Sequence, residues 1–102
     1  MLTLQIEHPI RDFDTWKAAF ERDPAGRQQA GTRRHQILRP IDNPNYIIIH
    51  LDFESHNEAE AFVARMQGIW KSASATPALA GAPQTRILET IESKEYLFAS
   101  VK

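Results

Sequence analysis

The run Tyr46-Ile47-Ile48-Ile49-His50-Leu51-Asp52-Phe53 is the longest β-branched and aromatic stretch of the chain, a strand pattern. Its odd positions are all apolar and its even positions are mixed. Side chains alternate across a strand, so the pattern predicts a central strand with one greasy face and one partly polar face. Leu2, Leu4 and Ile6 alternate with Thr3, Gln5 and Glu7, which predicts a half-buried first strand ending at His8-Pro9. Asp12 is placed to cap a helix carrying Phe13, Trp16, Ala19 and Phe20 on one stripe, with Asp14 in the first turn and Pro24-Ala25-Gly26 as the stop.

Thr32 to Arg39 predicts a polar edge strand. Pro40 to Asn45 is turn-forming and joins it to the central strand as a hairpin. Ser55-His56-Asn57-Glu58 has the form of a capping box. After it, Ala59, Phe62, Val63, Met66, Ile69 and Trp70 recur at helical spacing. Gly68 inside that helix suggests close packing. Ser72 to Pro83 reads as a connection and Gln84 to Ile91 as a fourth strand. The tail from Ser93 holds Tyr96, Leu97, Phe98 and Val101, and is expected to dock on a partner chain or add a strand.

The order β-α-β-β-α-β predicts an α+β, ferredoxin-like domain over residues 1–102, an antiparallel sheet in order 4-1-3-2 with both helices on one face. Tyr46 and Ile48 would then lie bare on the other face, so a homodimer through that face is expected.

Composition narrows the partners. A net charge of −1 gives no general attraction to nucleic acid or to an anionic membrane. With no cysteine, disulfides, thiolate metal sites and cysteine nucleophiles are excluded. The N-terminus has no signal-peptide pattern and no run is long enough to span a membrane, so the expected location is cytoplasmic.

The segments Arg11-Asp12-Phe13-Asp14-Thr15-Trp16-Lys17-Ala18-Ala19-Phe20, Arg39-Pro40-Ile41-Asp42-Asn43-Pro44-Asn45-Tyr46, and Glu58-Ala59-Glu60-Ala61-Phe62 with Trp70 resemble the dimeric α+β barrel superfamily. Within it the chain is most similar to small bacterial proteins of the antibiotic-biosynthesis-monooxygenase-like type. The resemblance covers most of residues 1–92 and implies the fold and a homodimer. It also implies a choice of activities: cofactor-free monooxygenases, haem-degrading enzymes, isomerases, cyclases and proteins of no known reaction. Haem-degrading relatives carry an axial histidine after the second helix, and this chain has no histidine beyond His56.

If the hairpin turn is centred on Asp42-Asn43, His35 stands opposite His50, Arg33 opposite Asp52 and Arg39 opposite Tyr46, all on one face. A slip of one residue would send His35 to the other face. In this register His50 is the candidate catalytic base and His35 its orienting partner, with Tyr46 and Arg33 as polar substrate contacts. Arg33 and Asp52 also suit a cross-strand ion pair. Trp16 and Trp70 are candidate walls of a ligand pocket, or core. Arg27, Arg33, Arg34 and Arg39 suit a solvated basic face. The histidines His8, His35, His50 and His56 have no close metal-ligand spacing, so no metal and no cofactor is expected.

The expected function is binding of a small apolar or aromatic molecule by a homodimeric barrel, with cofactor-free monooxygenase, isomerase or cyclase chemistry as the activity. The alternative is a non-catalytic ligand-binding or structural dimer. An open cavity of roughly 300 Å³ or more beside His50 would favour the ligand site.

Overall fold

The computed structural model describes residues 1–72 and 79–98. The elements are β1 (Leu2–Pro9), α1 (Phe13–Arg22), β2 (Arg34–Leu38), β3 (Tyr46–Phe53), α2 (His56–Trp70) and β4 (Gln84–Glu89). The strands form one antiparallel sheet in the order β2-β3-β1-β4, the ferredoxin-like arrangement expected from the sequence.

Pairing of β1 with β3 sets which residues are buried. Leu4 lies opposite Leu51, Ile6 opposite Ile49 and His8 opposite Ile47. These side chains share the face beneath the helices, and all are buried. The apolar ones among them form the core with Ile10, Trp16, Ala25, Phe53, Ala59 and Phe62. Burial of this apolar surface is the main force holding sheet to helices.

Both helix starts follow local chemistry. Asp12 Oδ1 accepts from Thr15 N–H at 2.8 Å, and its other oxygen accepts from the Thr15 hydroxyl at 2.8 Å. These bonds hold the Asp12 carboxyl below its usual pKa. Asp23 ends α1 in the left-handed region at φ 50°, and its carboxylate accepts from Arg27 N–H at 2.9 Å. Ser55 Oγ accepts from Glu58 N–H at 3.1 Å, one half of the expected capping box. The return bond from Glu58 is not made among the described residues; its carboxylate lies against Gly31 instead.

Two expectations are corrected. The hairpin register is one residue out: Arg34 lies opposite Asp52, His35 opposite Leu51, and Gln36 opposite His50. This register puts Ile37 beside Ile49 on the helix side and pairs Arg34 with Asp52, satisfying burial and charge together. Gly68 marks no close packing, since a Cβ there would meet nothing within 4 Å. Residues 91–98 add no strand to their own sheet; they lie exposed, Leu97 at 97% and Phe98 at 96%. The rest of the tail, and residues 73–78 of the connection, lie outside the described residues. No helix among the described residues is long and apolar enough to cross a membrane.

Candidate functional site

A cavity of about 460 Å³ lies between the sheet and the two helices. From the sheet, Ile6, His8, Ile49 and Leu51 form its floor. Trp16, Ala19 and Phe20 enter from α1, and Phe62, Met66, Ile69 and Trp70 from α2. Trp16 and Phe20 stack with ring centroids 5.1 Å apart, so the wall from α1 is a continuous aromatic surface.

The polar part of the wall is basic. Arg22, Arg27 and Arg65 line it together with one carboxylate, Asp23. Arg27 is held on several sides. Its guanidinium lies 3.8 Å from the Phe20 ring centroid, donates to Phe20 O at 3.0 Å and stands 3.4 Å from Asp23 Oδ1. Arg65 donates to Ala25 O at 2.8 Å. Both arginines thus stitch the segment after α1, and they leave net positive charge on the cavity wall.

His8 is the titratable ring in the cavity floor, 2% exposed. Its Nδ1 lies 2.9 Å from Pro9 O. A carbonyl only accepts, so Nδ1 carries the hydrogen and Nε2 the lone pair of the neutral ring. The same carbonyl accepts from Ala80 N–H at 3.2 Å, which fixes it from the far side. Burial pushes the His8 pKa below its ordinary value, outweighing the opposing effect of the Pro9 bond. His8 is not among the site residues predicted from the sequence. The signal was there: continuing the alternation of Leu4 and Ile6 by two residues places His8 on the buried face.

The sequence-predicted site residues fall into three places. Trp16 and Trp70 line the cavity. His50 and Tyr46 lie on the opposite, open face of the sheet. His35 is on the helix side at the sheet edge, its ring edge-on to Phe20 at 5.1 Å between centroids. His35 and His50 are therefore not brought together. Arg33 lies before β2 and pairs with Glu54 at 2.7 Å on the surface. Arg34 pairs with Asp52, and Arg39 sits 5.6 Å over the Phe13 ring.

The open face carries its own polar chain. His50 Nε2 lies 2.9 Å from Gln5 Oε1, Gln5 donates to Glu7 Oε2 at 2.8 Å, and Tyr46 donates to Glu7 Oε1 at 2.7 Å. Because Gln5 gives its amide N–H to Glu7, its oxygen is left for His50, so His50 Nε2 is the donor. The bond to Glu7 also raises the Tyr46 pKa, since it favours the neutral phenol. No group of three or more potential metal ligands is found among the described residues.

Compared by sequence, the chain matches no family model and no curated protein. Compared by structure, it is similar to SnoaB, a cofactor-independent oxygenase from Streptomyces nogalater, with a TM-score of 0.68 and 19% identity over 90% of this chain and 94% of that one. It is similar to a monooxygenase from the gene ActVA-Orf6 of Streptomyces coelicolor, solved with nanaomycin D, with a TM-score of 0.66 and 13% identity over 94% and 92% of the two chains. An uncharacterized NIPSNAP domain protein from Burkholderia xenovorans matches with a TM-score of 0.63 and 12% identity, over 93% of this chain and all of that one. The chain therefore has the ferredoxin-like α+β fold of the antibiotic biosynthesis monooxygenase-like proteins.

Proposed function

We propose that this protein binds a small aromatic molecule in the cavity beneath its helices and oxidises it with dioxygen without a cofactor. The observation that carries the reading is the cavity of about 460 Å³ walled by Trp16, Phe20, Phe62 and Trp70, a size that suits a two- or three-ring ligand. The fold neighbours support it, one being a cofactor-independent oxygenase and another holding nanaomycin D. The chemistry asks little of the protein. An acidic C–H or phenolic O–H loses its proton, and the resulting anion passes an electron to dioxygen. The radical pair joins as a peroxide, and loss of water leaves a carbonyl. For anthrone, one dioxygen is consumed and anthraquinone and water are formed. The residues bind, orient and accept the proton.

The test uses the protein's own tryptophans. The chain has two, Trp16 and Trp70, and both line the cavity. Titration with 1,4-naphthoquinone should quench their fluorescence to saturation, and anthrone should be turned over with one dioxygen per anthraquinone. Unquenched fluorescence and anthrone oxidation no faster than in buffer would remove the proposal.

The open face supports a homodimer. Tyr46, Ile48 and Leu38 sit there with the His50–Gln5–Glu7 chain, and Leu38 is 40% exposed. Ile41 is fully exposed at the turn beyond, and Tyr96, Leu97 and Phe98 of the apolar tail lie exposed among the described residues. A partner would bury all of these, and the tail would pack on it. Sedimentation should show a dimer that Ile48→Glu converts to monomer. The polar chain also sustains a second reading, a ligand between protomers with His50 Nδ1 as base. In that case His50→Phe abolishes turnover; with the cavity as the site, it leaves naphthoquinone binding intact.

A further inference from the structure

We infer that His8 is the proton acceptor of the cavity, and that the site selects weakly acidic aromatic ligands, phenols or enols, which it binds as anions. This rests on the cavity being the ligand site. Three observations lead to it independently of any substrate. First, the tautomer of His8 is set by the Nδ1–H bond to Pro9 O, itself held by Ala80 N–H. That leaves Nε2 as the basic atom, and it has no hydrogen-bond partner among the described residues. Second, the ring belongs to the cavity floor and is almost wholly withdrawn from solvent, where its neutral form is favoured. Third, the charged groups on the same wall are Arg22, Arg27 and Arg65 against Asp23, and Asp23 is already paired with Arg27. The excess is positive, which stabilises a phenolate over a phenol.

The step is an acid–base exchange with no oxidant. The ligand O–H bond breaks, an N–H bond forms at His8 Nε2, and the electron pair stays on the ligand oxygen. The imidazolium so formed is stabilised by the phenolate beside it and by the Pro9 carbonyl behind it. In the oxidation proposed above this is the activating event, so His8 would be a catalytic residue in contact with the substrate.

The probe is 4-nitrophenol, whose neutral and ionised forms absorb at different wavelengths. About one pH unit below its own pKa, roughly a tenth of the free probe is ionised. Bound to the wild-type protein, at least half should be. His8→Asn keeps an N–H for Pro9 O but removes the base, and should return the bound probe to its neutral spectrum. His8→Phe, which keeps the buried volume filled, should do the same and serves if the Asn variant does not fold. Ring-nitrogen NMR of the wild type needs no variant: adding the probe should shift the His8 Nε2 signal to that of a protonated nitrogen. A bound spectrum indifferent to position 8, or an unshifted Nε2, overturns the inference. So does a protein that takes up naphthoquinone but not nitrophenol, while the cavity reading survives. Failure of both probes to bind overturns the two together.

Discussion

Arg34 Nε lies 3.0 Å from Asp52 Oδ2, while the other carboxylate oxygen of Asp52 accepts from the Thr3 hydroxyl at 2.7 Å. One side chain thus ties β2, β3 and β1 together on the open face. The two partners differ in exposure: the Arg34 side chain is 66% exposed and that of Asp52 12%. Truncating the exposed partner releases a solvated charge, and Arg34→Ala should cost about 1 kcal/mol or less. Asp52→Ala strands both Thr3 and Arg34 and should cost about 1–3 kcal/mol. Urea denaturation of the two variants checks the order; equal losses would show that the bridge does not join the strands.

Burial of His8 has a consequence for stability against pH. Its folded pKa lies below the ordinary value of about 6.5. The unfolded chain therefore takes up a proton in a range where the folded chain does not. The stability this supplies is complete above about pH 6.5 and is lost as pH falls toward the folded pKa. The gap in Tm between wild type and His8→Asn should be widest at neutral pH and narrow on acidification. The remaining histidines are common to both proteins and cancel. A gap that stays constant from pH 7.5 to 5 would contradict the buried, neutral ring.

Two glycines should respond in opposite directions to alanine. Gly31 has φ +98° and an added Cβ would run into the Glu58 carboxylate, so Gly31→Ala should destabilise by roughly 1 kcal/mol or more. Gly68 lies in α2 with open space where a Cβ would go, so Gly68→Ala should stabilise by about 1 kcal/mol through helix propensity. Chemical denaturation midpoints read both.

Phe53 is fully buried and packs against Phe62, with ring centroids 5.5 Å apart. Phe53→Ala should cost about 3–5 kcal/mol. That is a large share of the roughly 5–15 kcal/mol available to a domain, so broad or absent near-ultraviolet ellipticity is the expected readout. A variant with native ellipticity and an unchanged midpoint would show that this end of the sheet is not part of the core.

Much of the architecture was legible because it is local. The odd positions of β3 must face the core, since no other arrangement buries Ile47, Ile49, Leu51 and Phe53 together. Asp12 and Ser55 announce their helices by satisfying N–H groups a few residues away. Candidate chemistry was less legible. Trp16 and Trp70 were found from their helical stripes, and they meet across one cavity. His35 and His50 were joined by a register that the turn composition does not specify, because Pro40 to Asn45 can close a hairpin in either phase. In β2 only Ile37 distinguishes the two registers by its burial; Arg34, His35 and Gln36 are polar and tolerate both faces, and Leu38 is exposed.

The sequence by itself determined the element order, the helix caps and the greasy face of the central strand, because each depends on neighbours in the chain. Tertiary structure decided the phase of the β2–β3 hairpin, which puts a single residue's shift between one face of the sheet and the other. It also decided that a cavity opens beneath the helices, with His8 in its floor and arginines on its wall. Cavities and charge balance arise where distant segments fail to fill a space completely, and no periodicity along one strand records that.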